Sequence, residues 1–209
     1  SAFYLDIRKD SLYCDHPSTP RRRAARTVMD IAFDHLISWV APVLVFTTEE
    51  AWGYRRGKDA GSVHLQLLPE AEADWRDDKL AAEWTRLRRI RRVATGAIEV
   101  ERREKRIGAS LEAAPTLYLA DEALRASVEG RDLAELFITS DIKVEAGDGP
   151  ANAFRLDDVA GVSVVVAKSG LRKCQRCWRY TDDVGSTAGH DDACGRCADA
   201  VDRLDGKAA

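Results

Sequence analysis

Four cysteines near the end of the chain constrain it more than any other feature. Cys174-Gln175-Arg176-Cys177 is followed, after 16 intervening residues, by Cys194-Gly195-Arg196-Cys197. Each C-x-x-C turn brings two thiolates together on one bend of backbone, and two such knuckles complete a tetrahedron. The spacing points to one structural zinc ion held by Cys174, Cys177, Cys194 and Cys197. Two disulfides fit less well. The fifth cysteine, Cys14, lies far away, and the first residues carry neither the basic nor the apolar stretch of a secretory leader. A redox pair would want a βαβ context, which the flanking residues do not offer. His190, four residues before Cys194, competes as a ligand only if a thiol gives way.

The 209 residues are 45% hydrophobic, enough for one or two domains and a small module. No apolar run reaches the ~18 residues that a membrane span needs. The net charge of −3 argues against a general nucleic-acid binder, but the charge is unevenly spread. Residues 1–110 hold 20 Lys and Arg against 17 acids, residues 111–170 hold 5 against 11, and residues 171–209 hold 7 against 7. Between Arg86 and Arg106 stand nine basic residues and three acidic ones. Arg172, Lys173, Arg176 and Arg179 form a second, acid-free cluster. Two local basic clusters suit an anionic partner.

In chain order, Phe3–Tyr13 mixes aromatic and charged residues without a clear period. Ser18 or Thr19 can cap a helix with Pro20 in its first turn. Residues 20–41 follow a helical period, with Ala25, Val28, Ile31, Leu36, Trp39 and Val40 on or beside one face. Thr47-Thr48-Glu49-Glu50 reads as a capping box that opens a short helix ending at Gly57. Val63–Leu68 reads as a short extended piece. Asp77 or Asp78 then caps a long helix whose expected face is Leu80, Trp84, Leu87, Arg91, Ala94, Ile98 and Glu101. That face is apolar early and polar late, so the helix is expected to leave the core near its C-terminal end. Two or three such helices, paired antiparallel, make an up-down bundle.

At Pro115 the pattern changes. Thr116–Ala120, Phe137–Glu145 and Val162–Ala167 read as strands, with Ala153–Leu156 as a weaker candidate. Asp121 caps a short helix to about Val128, and Arg131–Leu136 adds a turn. Leu171 begins the metal module, which ends in a helical tail, Cys197–Leu204. The fold class expected is mainly α: a helical domain over 1–112, a small α+β unit over 113–169 and a zinc module over 170–209.

No phosphate-binding loop, dinucleotide fingerprint, H-E-x-x-H or nucleophile elbow occurs. The histidines His16, His35, His64 and His190 are scattered, and His35 reads as a structural residue on an apolar face. Cys14 reads as a small core residue. Glu99, Glu101 and Glu104 read as a solvated, salt-bridged helix face. The residues alone describe a binding region without an active site. In the metal module, Cys177-Trp178-Arg179-Tyr180 sets aromatics among arginines, which suits bases that stack and phosphates that pair. Trp178 can equally cover the metal, as in modules too small for a core, and the two roles are compatible.

Several stretches resemble one family. Phe3-Tyr4-Leu5-Asp6 with Lys9-Asp10-Ser11-Leu12-Tyr13-Cys14 is similar to the entry of the anticodon-binding domain of bacterial isoleucyl-tRNA synthetases. Ala41-Pro42 with Phe46-Thr47-Thr48-Glu49-Glu50-Ala51-Trp52, Ser62-Val63-His64-Leu65, and Glu99 through Ala113 resemble further motifs of that family in the same order. Ala109 stands where the family pattern has serine. The two knuckles with Trp178 resemble its terminal zinc module, which the related valyl and leucyl enzymes lack as a class. The resemblance implies a parent enzyme that joins isoleucine to its tRNA with ATP and Mg, in catalytic and editing domains upstream whose H-I-G-H and K-M-S-K-S type signatures are absent from this chain. It implies a cytoplasmic monomer whose tRNA-binding C-terminal region is the present chain. Candidate RNA contacts are Arg172, Lys173, Arg176, Trp178 and Arg179 in the module and Arg88, Arg92, Arg102 and Lys105 on the long helix. The alternative is a zinc module that only staples the C-terminus and touches no RNA.

Overall fold

The computed structural model describes residues 3–206. Helix α1 (Tyr4–Cys14) opens it, and its buried residues Ile7, Ser11 and Cys14 recur at helical spacing although the sequence period is weak. The chain divides into two compact units. One combines the residues up to His16 with those from Asp78 onward, and the other is Pro17–Asp77. The stretch 1–112, expected as one helical domain, is therefore shared between both.

The Pro17–Asp77 unit is a helix pair. Helix α2 (Pro20–Val40) has Thr19 at its N-cap and Pro20 at its first position, although no side chain caps it. Helix α3 (Val45–Arg56) begins before the expected capping box. Leu44 takes the cap position, and Thr48 is buried, its hydroxyl donating back to the Leu44 carbonyl at 2.9 Å. The Glu49 carboxylate accepts from the Ser62 hydroxyl and the Val63 N–H, which fixes a 3-10 turn at Val63–Leu65 where an extended piece was expected. The small core is Ile37, Ala41 and Val63, with Phe33, Ala51 and Trp52 against it. Val28, Ile31, Leu36, Trp39 and Val40 are exposed. Only Ala25 of the expected face is buried, because one partner helix covers only one flank of α2.

The other unit is built on α4 (Asp78–Arg103), which covers a three-stranded sheet. Leu87, Ile90, Val93, Ala94, Ala97 and Ile98 are its buried residues, whereas Leu80 is exposed. Burial stops at Ile98, and Arg102 and Arg103 are exposed, so the helix leaves the core near its C-terminal end as expected; it departs from expectation at its start, where Leu80 is exposed. The reason is the sheet. Strand β1 (Ala113–Leu119) buries Ala113, Pro115, Leu117 and Leu119 on alternate positions, and the middle of α4 seats on them. Each large apolar side chain buried here contributes roughly 1.5–3 kcal/mol. Gly96 of α4 leaves room for Phe154, since a Cβ there would lie 2.9 Å from its ring.

Helix α5 (Glu122–Val128) starts at Asp121, whose carboxylate accepts from the Leu124 N–H. Helix α6 (Leu133–Phe137) starts at Asp132 in the same way and stops at Ile138 in the left-handed region. Phe137, expected to begin a strand, belongs to this helix and is buried in the core. Strand β2 (Lys143–Ala146) pairs parallel with β1, and β3 (Val162–Lys168) pairs antiparallel on its other side. The β1–β2 pairing begins only at Thr116, so Pro115 occupies a central strand at a place where no partner on that side needs its missing N–H. Ala153–Leu156 contributes only an isolated bridge, Phe154 to Val164. The expected up-down bundle is thus divided: α2 packs on α3, while α4 packs on a sheet.

The last segment is the four-cysteine module. Strands β4 (Arg172–Lys173) and β5 (Tyr180–Thr181) form a hairpin around the first knuckle. Helix α7 (Gly195–Leu204) begins inside the second knuckle, two residues earlier than expected.

Candidate metal centre and nucleic-acid interface

The hairpin and α7 bring the four thiols together. Cys174 N–H donates to the Arg179 carbonyl at 2.8 Å and Trp178 N–H to the Cys174 carbonyl at 2.9 Å, which closes the first knuckle. Cys194 caps α7 and Cys197 lies in its first turn, where helix N–H groups and dipole favour thiolates. All four sulfurs are buried and lie within 4.8 Å of one another, with Cys177 and Cys194 Sγ 3.8 Å apart. Four thiolates at a Zn–S distance of ~2.3 Å in a tetrahedron sit about 3.8 Å apart, so the donor set fits zinc. The Asp183 carboxylate ties the two halves, accepting from Thr181 Oγ1 at 2.6 Å and Gly195 N–H at 2.8 Å. These two bonds hold its carboxyl below the usual carboxylate range. His190 turns away from the thiols to Asp202, at 2.9 Å.

Arginines between the knuckle cysteines fasten the module to α1. Arg196 grips Asp10 with both terminal nitrogens, at 2.5 and 2.7 Å, and reaches Asp15 at 3.3 Å. The hydrogen bonds to Asp10 raise the pKa of its guanidinium. Arg176 donates to the Cys14 carbonyl at 2.6 Å and to Cys197 Sγ at 3.5 Å. Cys14 is buried against the ligand cysteines as the core residue expected. Burial first, and Asp10 second, push its thiol up to about 11.

The candidate RNA contacts divide into two groups. Arg172 donates to the Val184 and Asp191 carbonyls, and Arg179 to the Ser140 carbonyl, so with Arg176 these side chains brace the fold. Lys173 and Trp178 face outward. Trp178 is 61% exposed, at φ 67°, with Lys173 Nζ 5.6 Å from its ring centroid. The indole is therefore no lid on the metal. On α4, Arg88 lies over the Phe3 ring and Arg92 pairs with Asp158. Arg102 pairs with Glu99 at 2.8 Å, and Glu101 with Arg106, as expected for a solvated face. Arg88 and Arg102 are about 21 Å apart along the helix, so the basic residues of α4 form separate groups. Arg102, Arg103, Lys105 and Gly108 line a recess of about 560 Å³ beyond the helix end. Sequence reasoning missed Arg196 and Asp10. The arginine inside the second knuckle was a signal for it, but nothing local marks Asp10 as its partner.

Comparison with known proteins agrees with this geometry. Residues 1–117 match the family described as the anticodon-binding domain of tRNA ligase. The chain belongs to that family. Residues 173–200 match a second family, the zinc finger found in FPG and IleRS, and so cover all four thiols. Over 204 residues the chain is 53% identical to an isoleucine–tRNA ligase of Agrobacterium fabrum, which covers 98% of this chain and 21% of the relative. Isoleucine–tRNA ligases of Mesorhizobium japonicum and Bradyrhizobium diazoefficiens are each 50% identical, over 98% and 96% of the chain and 21% and 20% of their own lengths. The chain spans about a fifth of the length of these curated relatives. None of its described helices is long and apolar enough to cross a membrane.

Proposed function

We propose that this chain is the tRNA-binding C-terminal region of an isoleucine–tRNA ligase. Its parts are a helical anticodon-binding region over 1–112, a small α+β unit over 113–169 and a module over 170–209 held by one structural zinc. The whole enzyme attaches isoleucine to its tRNA in the cytoplasm as a monomer, using ATP and Mg in catalytic and editing domains elsewhere in the longer polypeptide. The identity to named ligases along nearly the whole chain supports this reading.

The observation that carries RNA binding by the module is Trp178. The knuckle turn accounts for the positive φ of Trp178, but a large indole left 61% exposed beside a lysine ammonium has no packing role to explain it. Such an arrangement suits an unpaired base stacked on the ring with its phosphate near Lys173. Arg102 and Lys105 beyond α4 supply further cationic contacts. A second reading, that the module is a staple, is favoured by Arg172, Arg176, Arg179 and Arg196, which are all bonded inside the fold. The two combine: the arginines staple, and Trp178 with Lys173 meets RNA.

The test is equilibrium binding of the chain to isoleucine-accepting tRNA across a salt series. Affinity is expected to fall linearly in log–log form, since phosphate contacts release counterions. It is expected to drop when the anticodon is exchanged. Equal affinity for both tRNAs overturns anticodon recognition.

A further inference from the structure

We infer that the open edge of β2 takes an extended basic segment of a partner protein as a fourth strand; this stands apart from the tRNA-binding reading above. The sheet runs in the order β2-β1-β3, so β1 is paired on both sides. The outer edge of β3 is partly occupied, since Phe154 bridges to Val164. Among the described residues no strand pairs with the outer edge of β2. All four β2 residues are exposed.

The ladder tells which backbone groups are free. Gly147, just past β2, donates its N–H to the Leu119 carbonyl at 3.0 Å. Bonding toward one neighbour recurs at every second residue of a strand, so Lys143 and Glu145 also turn their backbone to β1. Val144 and Ala146 therefore turn N–H and C=O outward. Such an edge is a template for another strand. The Ile142 N–H is already taken by the Asp141 carboxylate, at 2.8 Å, which ends the free stretch.

A groove of about 690 Å³ runs beside that edge, between β2 and helices α5 and α6. Val128, Leu133, Ile142 and Val144 supply its apolar lining. Val144 stands opposite Leu117 in the ladder, so it lies on the face of the sheet that carries the core. Lys143 and Glu145 lie on the other face. An added strand lays every second side chain into the groove.

Charge names the guest. Arg125 at the groove is committed to the Leu119 carbonyl, and Arg131 to the Ser127 carbonyl and Glu83. Glu122 and Glu129 also line the groove, and among the described residues neither has an ion pair. Asp132 and Asp141 accept from backbone N–H groups. Residues 111–170 as a whole hold 5 basic side chains against 11 acids. Lysine or arginine stems fit the apolar floor with their heads at the acidic rim. A phosphate backbone meets the same acids and is repelled, so the edge selects a peptide over RNA.

The probe is a short synthetic peptide that alternates threonine and arginine, titrated against the whole chain. Two further copies carry N-methyl groups, one on every threonine amide and one on every arginine amide, so that each blocks one edge of the peptide strand. Saturable binding tighter than about 1 mM is expected for the parent peptide. One methylated copy is expected to lose about tenfold or more, and the other to stay within about threefold. Ala146→Pro removes an outward N–H and leaves the β1 ladder intact, and is expected to weaken binding about tenfold; Glu129→Lys is expected to weaken it about threefold. Zinc content and helical signal are checked for both variants, and the methylated peptides need no variant at all. Absence of saturable binding overturns the proposal. So does equal loss for the two methylated copies, or a folded Ala146→Pro chain that stays within about twofold, since charge alone would then hold the peptide. The tRNA reading is measured separately and survives each of these failures.

Discussion

The zinc module and the Pro17–Asp77 helix pair are both too small for a large core, and they deal with that shortage differently. The module replaces core with chemistry. Cys174, Cys177, Cys194 and Cys197 are buried around one point, and Arg196 and Arg176 clamp the module to α1 through Asp10 and the Cys14 carbonyl. The helix pair has an apolar cluster of only Ile37, Ala41 and Val63, and it leaves Val43, Phe46, Tyr54, Leu65 and Leu67 almost entirely exposed. A metal specifies its fold by directed bonds, so a few residues at fixed spacing suffice. A helix pair needs area, and two helices supply little of it.

The largest expected effect falls on the module. Chelating the zinc, or Cys174→Ser, is expected to unfold β4, β5 and α7 while hydrogen exchange in α4 and the sheet stays slow. Zinc-finger peptides gain roughly 10–16 kcal/mol of apparent energy from their metal. Loss of protection in α4 as well would mean that the module is no separate folding unit.

A smaller effect is expected in the helix pair. Ile37→Ala truncates the largest side chain of its buried apolar cluster and should cost about 2–4 kcal/mol, read as early unfolding of α2 and α3 by hydrogen exchange. Zinc affinity should not change. A shift in zinc affinity would contradict independent stabilisation of the two regions.

The smallest effect lies outside both regions and calibrates them. The Gly108 N–H first, and Lys168 second, hold the Glu112 carboxyl below its usual range. A depressed carboxyl stabilises the fold above the unfolded-state value of ~4.3 and loses that contribution as pH falls through the folded-state value. Glu112→Gln should therefore cost about 0.5 kcal/mol near neutral pH, with the gap to the unaltered chain closing in acid. A gap that widens in acid would reverse the sign.

What was legible in the sequence follows the same contrast. The cysteine spacing, the Asp121 cap and the valine-rich Val162–Ala167 strand follow local rules, and the structure bears each out, while β1 starts three residues before the expected Thr116. The buried face of α2 departs from expectation, because a helix face is chosen by what packs on it, whereas α4 buries Leu87, Ala94 and Ile98 of its expected face and fails only at exposed Leu80. The α4 seat depends on β1 and β3, which lie from about ten to more than sixty residues downstream. The Thr47 capping box does not form because α3 already begins at Val45, with Leu44 at the cap position and Thr47 inside the helix. In the site, the ligand set could be read from spacing, whereas the division of arginines into braces and free cations depended on carbonyls remote in sequence, such as those of Cys14 and Ser140.

Trp178 is the residue through which we propose that the module meets RNA, beyond holding the C-terminus. Trp178→Gly tests it most directly, because glycine accepts the positive φ and relieves the strain. The variant is expected to keep its zinc and its thermal stability and to bind isoleucine-accepting tRNA about tenfold more weakly, the scale of one lost base stack. Unchanged tRNA affinity with zinc retained would contradict the claim and leave the module a staple.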